Sequence, residues 1–250
     1  MTPIIRVAMW SGPRNISTAM MRAWGNRPDT FVCDEPLYAY YLQKTGIDHP
    51  GRDEIIAHHE TDWKKVVTWL IGPLPAGKRI FYQKHMAHHL LPEIGRDWLR
   101  QLTHCLLIRH PAEMLTSLMQ FLPSPRLNDT GLPQQLEILR LVEQMTGRAP
   151  PIIDARDVLE DPRRMLGLLC AELGVPYTDD MLSWPPGRRG TDGIWAKYWY
   201  AAVERSTGFE PYLPKTEILP DQLQPLLAEC LPCYEALYAR RLGRSSHPPH

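Results

Sequence analysis

The chain has no long apolar run: nothing in its 250 residues approaches the ~20 consecutive apolar positions of a membrane-spanning helix. It has no net charge either. Its 28 Lys+Arg balance its 28 Asp+Glu, which argues against a partner such as nucleic acid or an anionic membrane. Met1–Trp10 carries Arg6 inside its apolar stretch and shows no cleavage-site pattern, so no signal peptide is expected. Internal repeats and low-complexity linkers are absent. Cysteine is sparse and odd in number, five in all, which suits a reducing, cytoplasmic compartment better than a disulfide scaffold. Proline is the excess: 25 residues, about twice the ordinary share, which implies many stopped helices and stiff connections. An apolar fraction of 44% and a charged fraction of 22% are those of a globular chain. Disorder is expected only in the Ser-, Pro- and His-rich tail, Gly243 to His250.

The pattern alternates strand and helix. Ile4–Trp10 is β-rich and runs into Ser11-Gly12-Pro13 ahead of a helical stretch, Ile16–Trp24. Thr30–Cys33, Arg79–Lys84, Thr103–Ile108 and Ile152–Ala155 predict four more strands. Helices are expected around Glu54–His59, Asp62–Leu70, His88–Leu102, Ala112–Phe121, Gln134–Thr146, Pro162–Leu173, Trp195–Ser206 and Asp221–Leu242. Such alternation implies a parallel sheet covered by helices, whose ligands bind beyond the carboxyl ends of the strands. The residues just past those ends are polar: Arg14 and Asn15, Asp34 and Glu35, Lys84 and His85, Arg109 and His110, and Asp154 to Asp157.

Strand, then Gly12-Pro13-Arg14-Asn15-Ile16-Ser17-Thr18, then helix is a phosphate-loop arrangement. Backbone N–H groups and the helix dipole favour an anion there, Arg14 adds a full charge, and Ser17 and Thr18 add hydroxyls. The Gly-Lys pair of the nucleoside-triphosphatase loop is missing, as is a strand-end acid for magnesium, since strand four ends in Arg109. An ordinary helix start capped by Asn15 or Ser17 is the plainer alternative. Strand four continues as Leu107-Ile108-Arg109-His110-Pro111, with Ser117 eight residues past the arginine. Both residues can reach the rim of the sheet and, with Arg14, hold an anion at two points.

With these two segments, Ser11–Thr18 and Ile108-Arg109-His110-Pro111…Ser117, the sequence resembles the sulfotransferases that use 3′-phosphoadenosine 5′-phosphosulfate. The resemblance spans roughly residues 4–200. It implies that Arg14, Asn15, Ile16, Ser17 and Thr18 hold the 5′-phosphosulfate and that Arg109 and Ser117 bind the 3′-phosphate. Gly187-Arg188-Arg189-Gly190, followed by Gly193-Ile194-Trp195-Ala196-Lys197, is similar to a late segment of that family. Arg188, Arg189 and Gly190 would then close over the 3′-phosphate and adenine; a solvated loop is the alternative. The implied fold is a three-layer P-loop kinase-like α/β domain over residues 1–242, a five-stranded parallel sheet with helices on both faces.

Sulfuryl transfer moves a planar group in line between two oxygens, so positioning and charge stabilisation dominate and no metal is expected. A cation must follow the departing oxygen and a base must take the acceptor's proton. The resemblance gives Lys84 the first role. Two residues compete for the second. Glu35 stands where several branches of the family carry a catalytic glutamate; His85 adjoins Lys84, whereas other branches place a histidine two residues beyond it. The balance favours Glu35 as base, with His85 positioning the acceptor or stabilising oxygen.

Other signals carry less. His85/His89, His58-His59 and His88-His89 lack an HExxH companion, and Cys230-Leu231-Pro232-Cys233 is a lone CxxC in an apolar helical run. Tyr38, Tyr40, Tyr41, Trp195, Tyr198, Trp199 and Tyr200 can line an acceptor pocket or belong to the core. The expected activity is transfer of a sulfuryl group to a hydroxyl or amine of a small molecule. The rivals are a P-loop small-molecule kinase, which needs magnesium and a nucleoside triphosphate, and a non-catalytic nucleotide-binding module.

Overall fold

A computed structural model describes residues 4–214 and 219–243; residues 244–250 of the expected tail lie outside them. Five strands, β1 (Ile5–Ser11), β2 (Thr30–Asp34), β3 (Ile80–Met86), β4 (Thr103–Ile108) and β5 (Ile152–Asp154), form one sheet in the order β2-β3-β1-β4-β5. Every pairing is parallel, with Met9 of β1 opposite Lys84 of β3 and Cys105 of β4. The sheet is apolar on both faces, as a sheet flanked by helices must be. Ala8, Trp10, Phe81, Leu106 and Ile108 join one core; Val7, Met9, Tyr82, Cys105 and Leu107 join the other. The first core is covered by helices α4 (Trp63–Leu70), α5 (Pro111–Leu118), α6 (Leu132–Thr146) and α11 (Gln224–Tyr238). The second is covered by α1 (Ser17–Gly25), α2 (Tyr38–Thr45), α3 (Arg52–His58), α7 (Ala155–Glu160) and α8 (Pro162–Glu172). Two short helices, α9 (Ala196–Trp199) and α10 (Ala201–Arg205), follow the segment 183–195. Among the described residues no helix is long and apolar enough to cross a membrane.

The α/β architecture and the five parallel strands agree with the sequence; several elements do not. The expected helix over His88–Leu102 is two 3₁₀ turns, Ala87–His89 and Asp97–Gln101. Pro92 bars helical backbone at Leu91, and Gly95 weakens what remains. Strand β3 runs two residues past Lys84, to Met86. Helices α2 and α7 escape the sequence reading: the first is tyrosine-rich and of ordinary helical propensity, the second only 6 residues long. Trp195–Ser206 breaks at Tyr200 into α9 and α10. The final helix starts at Gln224 and accommodates Pro232.

One glycine sets how closely the β1–α1 turn packs. A Cβ at Gly12 would lie 2.4 Å from the carbonyl oxygen of Thr130, and Thr130 is wholly buried beside α6. Gly12→Ala should therefore force backbone apart and cost about 1–3 kcal/mol, read as a lowered urea midpoint; an unchanged midpoint would contradict this packing.

Candidate functional site

A cavity of about 390 Å³ opens at the carboxyl end of the sheet, within the size range of ligand pockets. It is lined by Arg14, Asn15, Ile16, Ser17, Thr18, Glu35, Lys84, Arg109 and Ser117 together. These nine residues come from the ends of four strands and the turns and helices that follow them, and the strand order 2-3-1-4-5 is what makes those ends adjacent.

The first turn leaves backbone donors open toward the cavity. Helix α1 starts at Ser17, and no side chain caps its N-terminus, so its first N–H groups are not satisfied within the helix. Asn15 spends its side chain elsewhere: Nδ2 donates to the Leu107 carbonyl of β4 (3.1 Å), and Oδ1 accepts from the Ile16 N–H (2.9 Å). The expected cap by Asn15 or Ser17 is thus not made. Arg14 sits at φ +54°, and its Nε donates to Ser117 Oγ at 2.9 Å while its guanidinium lies 4.7 Å from the centre of the Phe121 ring. Arg109 donates to the Arg14 carbonyl (2.8 Å) and to Glu113 Oε2 (3.0 Å). Arg14 has no carboxylate partner among the described residues; burial and then the charge of Arg109 lower its pKa. Two guanidiniums, a serine hydroxyl and an uncapped helix end against the single paired carboxylate Glu113 make a set of donors that suits an anionic ligand.

The second cluster centres on Lys84, 1% exposed. Its ammonium donates to Asp34 Oδ1 (2.8 Å), Glu35 Oε1 (2.6 Å) and Tyr200 Oη (2.7 Å), which uses all three N–H bonds. Tyr200 in turn donates into the Asp34 carboxylate at 2.7–2.8 Å. Burial alone would lower the pKa of Lys84, but Asp34 and Glu35 outweigh it and hold the ammonium protonated. Glu35 goes the other way: burial raises its pKa, Lys84 opposes this, and Asp34 adds to it. The result is a carboxylate with more than ordinary appetite for a proton. Glu35 has φ +39°; it and Arg14 are the two non-glycine residues with positive φ among the described residues. Such backbone costs on the order of 1–3 kcal/mol each and collects at functional sites.

Four expected site residues do not line this cavity. His85 follows Lys84 in the same strand, and successive side chains of a strand point to opposite faces. Its ring therefore lies in the other core, stacked 4.2 Å from Trp10 and bonded through Nε2 to Gln83 Oε1 (3.1 Å). Because β3 extends to Met86, the histidine that does reach Glu35 is His89, from the turn after the strand, with Nδ1 4.0 Å from Glu35 Oε2. Arg188, Arg189 and Gly190 are also elsewhere. Arg188 pairs with Glu204 at 3.6 Å, and Arg189 donates to the Pro185 carbonyl at 3.0 Å. Gly190 borders a second hollow behind β2. Their loop is pinned there by Asp192, which takes a bidentate pair from Arg22 (2.6 and 2.7 Å) and the Arg189 N–H (2.7 Å), while the Gly193 N–H donates to Asp34 Oδ2 (3.2 Å).

Sequence reasoning gave no role to Asp34 or Asp129, left Tyr200 among the pocket or core aromatics, and set His89 aside with the histidine pairs. The Asp34-Glu35 pair at a strand end was a usable signal. Tyr200 and Asp129 arrive from distant loops and carry none.

A family profile described as sulfotransferase domain matches residues 5–241. Two Arabidopsis thaliana proteins named branched-chain-amino-acid aminotransferase-like protein 2 and protein 1 are each 36% identical, over 95% and 91% of this chain. The chain spans only 42% and 40% of those relatives. Among solved structures, the sulfotransferase domain from the curacin biosynthetic pathway superposes with a TM-score of 0.55 at 17% identity, covering 92% of this chain and 98% of that one. A sulfotransferase from Alicyclobacillus acidocaldarius gives 0.52 at 15% identity, covering 97% and 98%. At such identities the two structures share the fold.

The buried histidines make acid stability a direct readout. Burial lowers His85 and His88 to about 3 and His104 to about 4, and holds His89 well below the ordinary range. Folded, they stay neutral; unfolded, they take up protons below about pH 6.5. Glu35, and Asp154 raised by burial to about 6, work in the opposite sense. Four histidines against two carboxylates leave a net uptake of protons on unfolding, so stability should fall as pH drops from 6 to 4.5. Urea midpoints that do not move with pH would contradict this.

Proposed function

The chain belongs to the sulfotransferase domain family, and on that footing we propose that residues 1–242 form one domain that transfers a sulfuryl group from 3′-phosphoadenosine 5′-phosphosulfate to a hydroxyl of a small molecule. The observation that carries this reading is the meeting of Arg14, Arg109 and Ser117 with Lys84 and Glu35 in one cavity.

When bound, the donor supplies an activated sulfuryl group whose bond to a phosphate oxygen breaks as one to the acceptor oxygen forms. The N–H groups at the start of α1, the Arg14 guanidinium and the Ser17 and Thr18 hydroxyls bind its 5′ end. Arg109 and Ser117 bind the 3′-phosphate, the group that separates this nucleotide from ordinary adenylates. Lys84 Nζ, held cationic by Asp34 and Glu35, donates to the departing oxygen the N–H that Tyr200 otherwise accepts. Glu35 accepts the acceptor's proton; its raised pKa narrows the gap to a hydroxyl, as a general base requires. Tyr200 and Asp34 orient the ammonium without meeting the reacting atoms. His85, stacked on Trp10 in the opposite core, has no part in this assignment, and neither do Arg188, Arg189 and Gly190.

Calorimetry with 3′-phosphoadenosine 5′-phosphate should show binding that AMP does not match. Arg109→Ala should weaken the 3′-phosphorylated ligand at least tenfold, a charge-assisted contact being worth about 1.5–3 kcal/mol, and AMP much less; equal losses would sink the assignment. Glu35→Gln should lower kcat by about 10²–10⁴ with little change in nucleotide binding. The wild-type kcat/KM should fall on the acid side with an apparent pKa above that of an ordinary glutamate, since Glu35 works only when ionised. A dependence of activity on magnesium and a nucleoside triphosphate would favour a kinase instead.

A further inference from the structure

We propose, resting on the sulfotransferase reading above, that the acceptor is a small hydroxy compound bearing a protonated amine. Its hydroxyl lies between Glu35 and His89, and its ammonium lies at Asp129.

The part of the cavity away from Arg109 is walled by Tyr38, Tyr41, Ile47, Met86, Leu118 and Trp199. The wall is apolar and aromatic, and its rings are held by one another. His89 stacks on Tyr38 (4.9 Å, 3° between planes) and on Tyr41 (4.5 Å), and Tyr38 Oη hydrogen-bonds His49 Nδ1 at 2.9 Å. Polar groups break this lining at several points, His49, His88, Ser206 and Glu210 among them, and two others stand where an acceptor's hydroxyl and its charge would lie. At one, His89 Nδ1 is buried with no hydrogen-bond partner among the described residues and stands 4.0 Å from Glu35 Oε2. A hydroxyl oxygen can reach both groups at once, which gives the orphaned nitrogen its partner and the carboxylate its proton. At the other stands Asp129, from the turn Leu127–Thr130. Its Oδ2 accepts the Arg126 N–H at 2.8 Å, and Oδ1 has no partner among the described residues.

The charges choose the sign of the acceptor. The cations that line the cavity are Arg14, Lys84 and Arg109. The two arginines belong to the nucleotide end, and Lys84 is committed to Asp34, Glu35 and the departing oxygen. His49, His88 and His89 are held neutral by burial. An acceptor carboxylate would therefore enter a cavity lined by Asp129, Glu35 and Glu210 with no cation to receive it. An ammonium meets Asp129 and a set of tyrosine and tryptophan rings, the two kinds of group that stabilise a partly desolvated cation. The ammonium serves as the handle: protonated, it has no lone pair to accept the sulfuryl group, so the hydroxyl does.

Three phenols of similar size separate the possibilities: tyramine (cationic), tyrosol (neutral) and 4-hydroxyphenylacetate (anionic). Each is titrated by calorimetry into the full chain saturated with 3′-phosphoadenosine 5′-phosphate. Tyramine should bind at least tenfold more tightly than 4-hydroxyphenylacetate, with tyrosol between. Asp129→Asn keeps an oxygen for the Arg126 N–H and should bring tyramine down to the level of tyrosol while leaving tyrosol within twofold. Should that variant fail to fold, raising salt on the wild type should narrow the tyramine–tyrosol gap. The proposal is overturned if the carboxylate binds as well as the amine, if no phenol binds, if Asp129→Asn weakens tyrosol equally, or if salt leaves the gap unchanged. Failure of the nucleotide itself to bind sinks the sulfotransferase reading too; nucleotide binding without the amine preference sinks this acceptor class alone.

Discussion

The rim of the sheet is organised around a lysine ammonium kept out of water. A buried cation is tolerated only when every N–H is met and its charge is compensated. Lys84 satisfies both conditions, through Asp34, Glu35 and Tyr200. Each of these partners has further consequences. Asp34 also accepts from Tyr200 and from the Gly193 N–H, so the loop after Arg189 is tied to the same carboxylate and, through Asp192, to Arg22 of α1. Taking away one carboxylate of such a buried set leaves a charge unmet, at a cost of about 3–5 kcal/mol. Glu35, which lines the cavity, is left with a raised pKa chiefly by its burial, with Lys84 working against the shift and the Asp34 charge adding to it. The same electrostatics that hold the lysine cationic therefore tune the residue proposed as base.

The neutral total of the chain hides a strong internal separation. Positive groups gather where the β1–α1 and β4–α5 turns meet, and the strained backbone of Arg14 directs its guanidinium toward Ser117. Glu35, His89 and Asp129, the groups proposed to meet the acceptor, line the same cavity. Phe121 lies between, touching Arg14 on one side and Trp199 on the other. A polyanionic donor and a cationic acceptor would each find the complementary end, and like charges would be kept apart.

How far the site could be read from the chain depended on distance along it. Gly12–Thr18 and Arg109…Ser117 each fit within a single strand–turn–helix, where spacing dictates which side chains reach the rim. Their convergence needed only the parallel sheet that the alternating pattern already implied. His85 was misplaced by the period of a strand: with Lys84 facing one core, its neighbour had to face the other. Arg188 and Arg189 were misplaced for a different reason. A Gly- and Arg-rich loop has no periodicity to orient it, and here Asp192 and Asp34 hold it behind β2. The stretch His88–Leu102, expected as one helix, is divided by Pro92 and Gly95 into two turns.

By itself the sequence determined the class of fold, the parallel sheet implied by alternating elements, and the two turns proposed to hold anions. All of these follow from patterns among residues close in the chain. Only the tertiary structure decided which histidine stands beside Glu35, what holds Lys84, and where the arginines of the late loop point. Those answers depend on where strand β3 ends and on partners such as Tyr200, 116 positions from Lys84. No local pattern encodes such partners, since they are selected by the need to satisfy buried charge after the chain has folded.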